Sequence, residues 1–421
     1  MESKEQRQEE SSFFKYYDIN ILGASKTAGV SCISASRNLD WAIGLNRSSL
    51  EILGIWPKNV SARQALFLNV RVFLNAVVII FWGVMPSLSA LIKNRHDPLA
   101  VIDNLQFTLP MLITSMKLIV IWWHKGALVP VVDMIAKDWA TSRSIEERNV
   151  MIRRARTAKR INQGCFLLMC GAFLFVMFLS SFGITLRYLT NATDYGRFLP
   201  LQTHYFYDVT KSPYFELTFL SQIISVAIIA VGYSAIDNFL ALLLFHICGQ
   251  LENLQARLAN IADLHDFDNV LAINVRDHIR LIRSINVVEN TFTLLYLGLL
   301  IYFNTFICIY GFLIMRVSTF STSRITFILF SAFTIFGHTF LHFALGEFLT
   351  SHFEGVYHAI CGCEWEKLQP RKARYLMPLM AQAKKPLYIS AGKIFPMTLP
   401  IFCKILKMSA GYVSFLLAKV E

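Results

Sequence analysis

The sequence predicts an all-α integral membrane protein with seven transmembrane helices and long intracellular helix extensions. Three observations predict it. Hydrophobic residues make up 55% of the 421 positions and charged residues only 16%, against about 25% charged in an ordinary soluble chain. Apolar stretches recur that reach the roughly 20 helical residues needed to cross a hydrocarbon layer of about 30 Å. The Lys and Arg residues between those stretches alternate between rich and poor connections, the pattern of the positive-inside rule. A β-barrel would show segments of about ten residues alternating in polarity, whereas these runs are longer and uniformly apolar.

The runs cover residues 72–92, 105–123, 164–186, 216–245, 293–315 and 325–349. A seventh at 386–418 is interrupted by Pro386, Pro396 and Pro400 and carries Lys393, Lys404 and Lys407. Connections 124–163, 246–292 and 350–385 hold nineteen Lys and Arg, while 93–104, 187–215 and 316–324 hold seven. This asymmetry places the basic set and the N-terminus in the cytoplasm, and seven spans then leave the C-terminus extracellular. The net charge of +12 is therefore read as a topology signal and not as a nucleic-acid surface. Of the sequons at Asn46, Asn59 and Asn191, only Asn191 falls in an outer loop, so glycosylation is expected there alone. Residues 246–292 contain no Pro and place Leu251, Leu254, Leu258 and Ile261 at helical spacing. The fourth helix is thus expected to run past the membrane and the fifth to begin before it. Residues 128–163 behave alike, giving an intracellular bundle suited to packing against other subunits.

Other classes lack support. The opening MESKEQRQEE has neither the basic start nor the apolar core of a cleavable signal peptide. The eight cysteines have no dense, regular spacing, which argues against a secreted disulfide scaffold. No phosphate loop, paired-glycine dinucleotide motif, nucleophile elbow or zinc-protease box occurs, so an enzyme is not expected, nor a cofactor. His338 and His342 share one helix face and could bind a metal, but a lone pair reads first as an interior contact. Cys361 and Cys363 have no second pair to complete a metal site. Arg153, Arg154, Arg156, Lys159 and Arg160 could attract anionic membrane lipid, but the favoured and compatible reading is that they stop translocation of the third helix. Lys117 lies within an apolar run. Snorkelling to the cytoplasmic side is the default, and pairing with Asp237 or Glu347 is the alternative. Phe107, Phe178, Phe182, Phe219, Phe327 and Phe330 fall on the outer halves of different helices. With Thr108, Met111 and Ser181 they could line an apolar cavity for a small ligand.

The landmarks along nearly the whole chain resemble the insect odorant receptors. They begin with Leu53-Gly-Ile-Trp56-Pro57 and continue with Ser212-Pro213-Tyr214-Phe215-Glu216-Leu217 followed by Gln222. His246, Gly249-Gln250-Leu251-Glu252 and Arg276-Asp277-His278 come next, then Gly346-Glu347, Ala359 and Trp365. The series ends with Lys385-Pro386-Leu387, Ala391-Gly392-Lys393, Phe395, Phe402, Ile405-Leu406-Lys407, Ser409 and Tyr412. The order and spacing of the set carry the resemblance. It implies an odorant-gated, non-selective cation channel in a sensory-neuron plasma membrane. The channel would be a hetero-oligomer, a tetramer, with an obligate co-receptor of the same fold. The short second cytoplasmic connection resembles a ligand-tuning subunit and not the co-receptor itself. Trp365 would belong to the intracellular subunit anchor. Aligning the last segment places Phe415 at the family's apolar gate, with Ala418 one turn beyond and Gly411 on the same face. Ala418 stands where the family carries a polar residue. The implied division is a cytoplasmic segment (1–67), helices one to six with ligand-binding outer halves (68–349), an anchor segment (350–385) and a pore-lining helix (386–421). The ligand would be a small, mainly apolar volatile. A gustatory receptor of the same superfamily and a secondary transporter are the rival readings; the latter would call for internal repeats and paired broken helices.

Overall fold

The computed structural model describes residues 27–141, 144–181, 199–263, 266–315 and 322–420. Within the helices, the side chains of 27–36, 179–181, 312, 314–315, 323–324 and 412–420 fall outside the described set. The described residues are almost entirely helical: α1 Thr27–Leu53, α2 Ala62–Lys93, α3 Pro98–Ala140, α4 Ile145–Ser181, α5 Tyr214–Ala259, α6 Phe267–Met315, α7 Thr322–Gly362, α8 Pro370–Ala383 and α9 Leu399–Val420. A two-stranded antiparallel hairpin, β1 Ser390–Ala391 and β2 Phe395–Pro396, precedes α9. Among the described residues, the six helices α2 to α7 are long and apolar enough to cross a membrane.

The core is built around α5. From Gly232 to Leu251 every residue is buried except Asp237. A helix apolar on all sides must be surrounded, and α5 accordingly packs against α1, α3, α4, α6 and α7. As the helical spacing of 246–292 predicts, α5 and α6 run on well beyond the apolar segments and are separated only by a short connection. Polar side chains tie these extensions together. The carboxylate of Asp138 on α3 accepts from Arg280 of α6 at 2.5 Å and meets His246 of α5 at 3.0 Å. Arg257 on α5 bridges Glu147 of α4 at 2.7 Å and Asp277 of α6 at 2.8 Å. Arg154, from the basic cluster, pairs with Glu252 at 2.7 Å and lies 3.0 Å from a His352 nitrogen, so it holds α4, α5 and α7 together.

Several of the sequence landmarks now have physical reasons. Gly54 ends α1 at φ +80°, and a Cβ there would stand 2.7 Å from the Leu68 carbonyl oxygen. That turn sends Trp56 into the core, edge-on to Phe239 with ring centroids 5.6 Å apart. Arg71 donates to the Glu51 carbonyl at 2.6 Å, satisfying one of the orphan acceptors at the end of α1. Gln222 holds the segment after residue 199: its side-chain oxygen accepts from the Leu201 N–H at 3.1 Å, and its amide donates to Thr203 at 2.9 Å. Asn46 is a buried helical residue, which makes its sequon unusable; Asn191 lies outside the described residues.

The last segment differs from the hydropathy reading. The apolar run at 386–418 is not one helix: residues 386–398 form an extended stretch and the hairpin, and helix begins at Leu399. Pro396 interrupts helical hydrogen bonding, and Gly392 and Lys393 adopt φ +61° and +59°. The Gly392 N–H donates to the Thr293 carbonyl at 2.8 Å, and Ser390 donates to Glu289 at 2.7 Å, docking the hairpin on α6. On the other side, the Met397 backbone lies so close to Gly346 of α7 that a Cβ there would overlap the Met397 carbonyl oxygen. Glu347 accepts the Leu399 N–H at 3.2 Å, so a carboxylate satisfies an orphan donor at the start of α9. Phe402 then enters a ring cluster with Phe303, Phe336, Phe340 and Phe343.

Gly346→Val should therefore cost about 1–3 kcal/mol through overpacking and lower the thermal midpoint of detergent-solubilised protein. Gly126→Ala, where an added Cβ meets nothing within 4 Å of an exposed helical position, should not lower it and should raise it slightly through helix propensity.

Candidate functional site

A cavity of about 480 Å³ lies between α4 and α7, both of which pack along α5; α6 and α3 complete its wall. Helical periodicity explains how single helices contribute to it. Tyr302, Phe306 and Tyr310 recur every fourth residue on α6, and Tyr233, Asp237 and Ala241 do so on α5. On α3, Pro110 and Gln106 both line the space. Proline has no N–H to offer the carbonyl four residues back, so the helix wall is locally open in hydrogen bonding there. One end of the cavity is aromatic: Phe175 of α4 faces Phe330 of α7, centroids 6.5 Å apart, with Phe327 and Tyr310 also in the lining. About 12–18 Å further along α7, by the 1.5 Å rise per residue, the lining changes to His338 and His342, with Asp237 of α5 beside them.

That second end is built on a buried ion pair. Lys117 does not snorkel, contrary to the default reading. Its side chain is 2% exposed, and the ammonium lies 2.5 Å from Asp237 Oδ2 and 3.7 Å above the Tyr233 ring. A carboxylate and an aromatic face within reach replace the water the ammonium would otherwise seek. Asp237 Oδ2 also meets His338 Nε2 at 2.7 Å, and the other His338 nitrogen lies 3.2 Å from the Tyr233 hydroxyl. His342 Nε2 is 3.6 Å from Asp237 Oδ1, and its ring stands edge-on to Tyr296. The alternative partner, Glu347, is used at the start of α9 instead.

Asp237, His338 and His342 each offer a ligand atom, all within 4.8 Å of one another. Two imidazoles and a carboxylate are a donor set of the type that binds Zn²⁺. The ammonium of Lys117 already neutralises that carboxylate through Oδ2, however, and a dication on Oδ1 would stand close to a like charge.

The residues singled out in the sequence are dispersed. Phe327 and Phe330 line the cavity. Phe107 stacks on Phe327 from behind, centroids 5.6 Å apart and rings 14° from parallel. Thr108 is buried and donates to Asn104 at 2.8 Å, and Met111 is buried beside Gly83 of α2. Phe219 stacks on Phe215 of its own helix, and Phe178 is 62% exposed. Phe182 and the Ser181 side chain lie outside the described residues. Depth in the membrane can be read from position along a run, whereas facing depends on rotation about the helix axis. Of the residues missed by depth alone, Phe175, Tyr233, Tyr302, Phe306 and Tyr310, the last three were accessible through their own helical repeat. Trp365 is 54% exposed in a 3₁₀ turn between α7 and α8. Gly411 is exposed on α9, and the side chains of Phe415 and Ala418 lie outside the described set.

Outside the membrane-spanning segments, burial pushes the pKa of the Tyr205 hydroxyl up, although it accepts a hydrogen bond from Gln222 at 3.2 Å.

Removing one partner of the ion pair strands a buried charge. Lys117→Met should cost about 3–5 kcal/mol and strongly reduce correctly folded protein, while Lys117→Met with Asp237→Leu should recover most of it. Size-exclusion profiles and thermal midpoints of the two variants check this.

A family model described as 7tm Odorant receptor matches residues 97–410. The chain is similar in structure to the insect olfactory receptor OR5 from Machilis hrabei, with a TM-score of 0.78 at 15% identity, covering 89% of this chain and 97% of that one. It is also similar to the same receptor in complex with eugenol, with a TM-score of 0.79 at 15% identity, covering 92% of this chain and 100% of that one. No curated protein sequence matches.

Proposed function

The chain belongs to the 7tm odorant receptor family, and on that premise we propose that it is the ligand-tuning subunit of an odorant-gated cation channel. The observation that carries the reading is the cavity of about 480 Å³, walled by five helices and mostly apolar, inside a multi-pass membrane fold. A small organic volatile fits such a space better than a peptide or an ion does. The similar receptor with eugenol supports a ligand of that size.

In this reading α9 is the seventh span and the pore wall, with the N-terminus in the cytoplasm and the C-terminus outside. The protein works in the plasma membrane of a sensory neuron. The far ends of α3 to α8, with Trp365, form the anchor between this subunit and an odorant co-receptor in a heterotetramer. Phe415 forms an apolar constriction that stops ions by dewetting, flanked by Gly411 and Ala418. Lys404 and Lys407 face away from the ion path or leave selectivity to the partner subunits. Opening is a population shift, because odorant binds the open arrangement better than the closed one. A hundred-fold difference in affinity supplies about 2.7 kcal/mol at saturation. The hairpin ties the cavity to the pore helix mechanically: α6 and α7 both line the cavity and both grip residues 390–399.

Currents recorded from cells exposed to an odorant panel, with and without a co-receptor, test this. Ligand-evoked cation current that requires the co-receptor is expected. Current without any partner would overturn the subunit assignment, and uptake of substrate without current would favour a transporter. Phe330→Ala should change the rank order of ligands without loss of surface protein. Phe415→Ala should raise resting current, and an unchanged leak and dose response would remove Phe415 from the gate.

A further inference from the structure

We propose that Arg156, Lys159 and Arg160 of α4, with Trp41 of α1, form a binding site for the headgroup of an anionic phospholipid. The inference rests on α4 being a membrane span and is independent of what the cavity binds. Two contacts fix the height of this patch against α5. The Asn238 amide donates to the Asn162 carbonyl at 3.4 Å, and Arg154 packs against Gly249. Residues 156–160 lie between those contacts, level with the end of the apolar run of α5 at Phe245. Along α4 itself they precede the apolar run that begins at Gly164 by four to eight residues, about 6–12 Å of helix. A headgroup layer is about 5–8 Å deep on each side of the hydrocarbon, and an Arg or Lys stem spans the remaining distance. The three cations therefore sit at the level of lipid phosphates.

Stopping the translocation of a helix needs only a number of positive charges in the connection and sets no requirement on their facing. The structure shows more than a number. Arg153 and Arg154 are engaged inside the fold by Glu252. Arg156 and Arg160 stand one turn apart on one face, both exposed, and their side chains have no ion pair or hydrogen bond among the described residues. Like charges at this spacing repel, so the pair calls for a shared counter-ion. Lys159 reaches across to α1: its ammonium donates to the Trp41 carbonyl at 3.4 Å and lies 4.7 Å from the centroid of the indole ring. That contact leaves two of its three donors open. It also holds Trp41, 37% exposed, at the headgroup level that indoles favour. Guanidinium forks suit phosphate oxygens, and the ring beside them covers the glycerol and the first part of the acyl chains. Arg37, exposed and one turn before Trp41, offsets Asp40, the acid next to that ring. A free inorganic anion uses the cations but not the ring, and a zwitterionic headgroup brings a cation of its own into the patch. An anionic phospholipid uses all of it.

The test is photo-crosslinking of diazirine-bearing phosphatidylserine and phosphatidylcholine to the purified full chain with its co-receptor, scoring the label on this chain alone after denaturing separation. Phosphatidylserine should half-saturate at a concentration about ten-fold lower or more, since each cation near an anionic surface contributes about five-fold in affinity. Arg160→Gln changes an exposed, unpaired side chain and so leaves the fold intact; it should weaken phosphatidylserine by about five-fold. The decisive variant moves charge instead of removing it. Arg156→Gln and Arg160→Gln combined with Ala140→Lys and Asn149→Lys, both at exposed positions, keep the number of basic residues in connection 124–163 and with it the topology. The preference of that variant for phosphatidylserine should fall to about three-fold or less. An undiminished preference there, or unchanged binding in Arg160→Gln, would reduce the patch to a topology signal and overturn the proposal. Equal affinity of the unaltered chain for the two lipids would overturn it as well. Glycerophosphoserine, the headgroup without acyl chains, should compete only weakly; competition as strong as that of the lipid would assign the cations to a free anion and overturn the lipid site.

Discussion

An ammonium and a carboxylate held 2.5 Å apart, Lys117 on α3 and Asp237 on α5, set the terms for the middle of this fold. Neither charge can stand alone in a low-dielectric interior. Their pairing fixes two helices against each other, and His338 extends the same contact to α7. The arrangement also forms one end of the cavity. Asp237 interrupts an otherwise continuous buried stretch of α5, and the exposure it keeps is toward that space. Stability and recognition thus share a residue. A buried ion pair is weak evidence for net stability against an apolar replacement, so its place in the cavity wall gives a reason for its presence that packing does not.

The second constraint is the link between cavity and last helix. Gly346 and Glu347 sit one turn beyond His342 on α7. One admits the Met397 backbone and the other satisfies the first N–H of α9. On α6, Glu289 and Thr293 hold the hairpin, while Tyr302, Phe306 and Tyr310 line the cavity above it. A small rotation of α6 or α7 on ligand binding would reach α9 through these contacts without any long-range wire. Close-packed interfaces convert such shifts into discrete alternatives.

Much of the fold was legible in the sequence, because the demands of a hydrocarbon solvent are local. The six long apolar runs became α2 to α7, and the helical spacing of Leu251, Leu254, Leu258 and Ile261 became the extension of α5. The break at 390–398 was visible as prolines but not as a hairpin, since its docking on Thr293 and Gly346 involves partners about fifty to a hundred residues away in sequence and on separate helices. The site was less legible for the same reason. The sequence offered Asp237 or Glu347 as alternative partners of Lys117 and put His338 and His342 on one helix face, yet the convergence of all four depends on helix rotation, which short-range spacing does not carry. Phe327 and Phe330 face the cavity, whereas Phe107, at a similar depth, packs behind it.

The central claim is that this cavity, bounded by the Lys117–Asp237 pair, is where ligand acts. The most direct measurement is the position of a bound odorant in an experimental map of the receptor complex. The account predicts ligand density between α4 and α7, with its apolar part against Phe330. Density on the lipid-facing surface or between subunits, with this cavity empty, would contradict it.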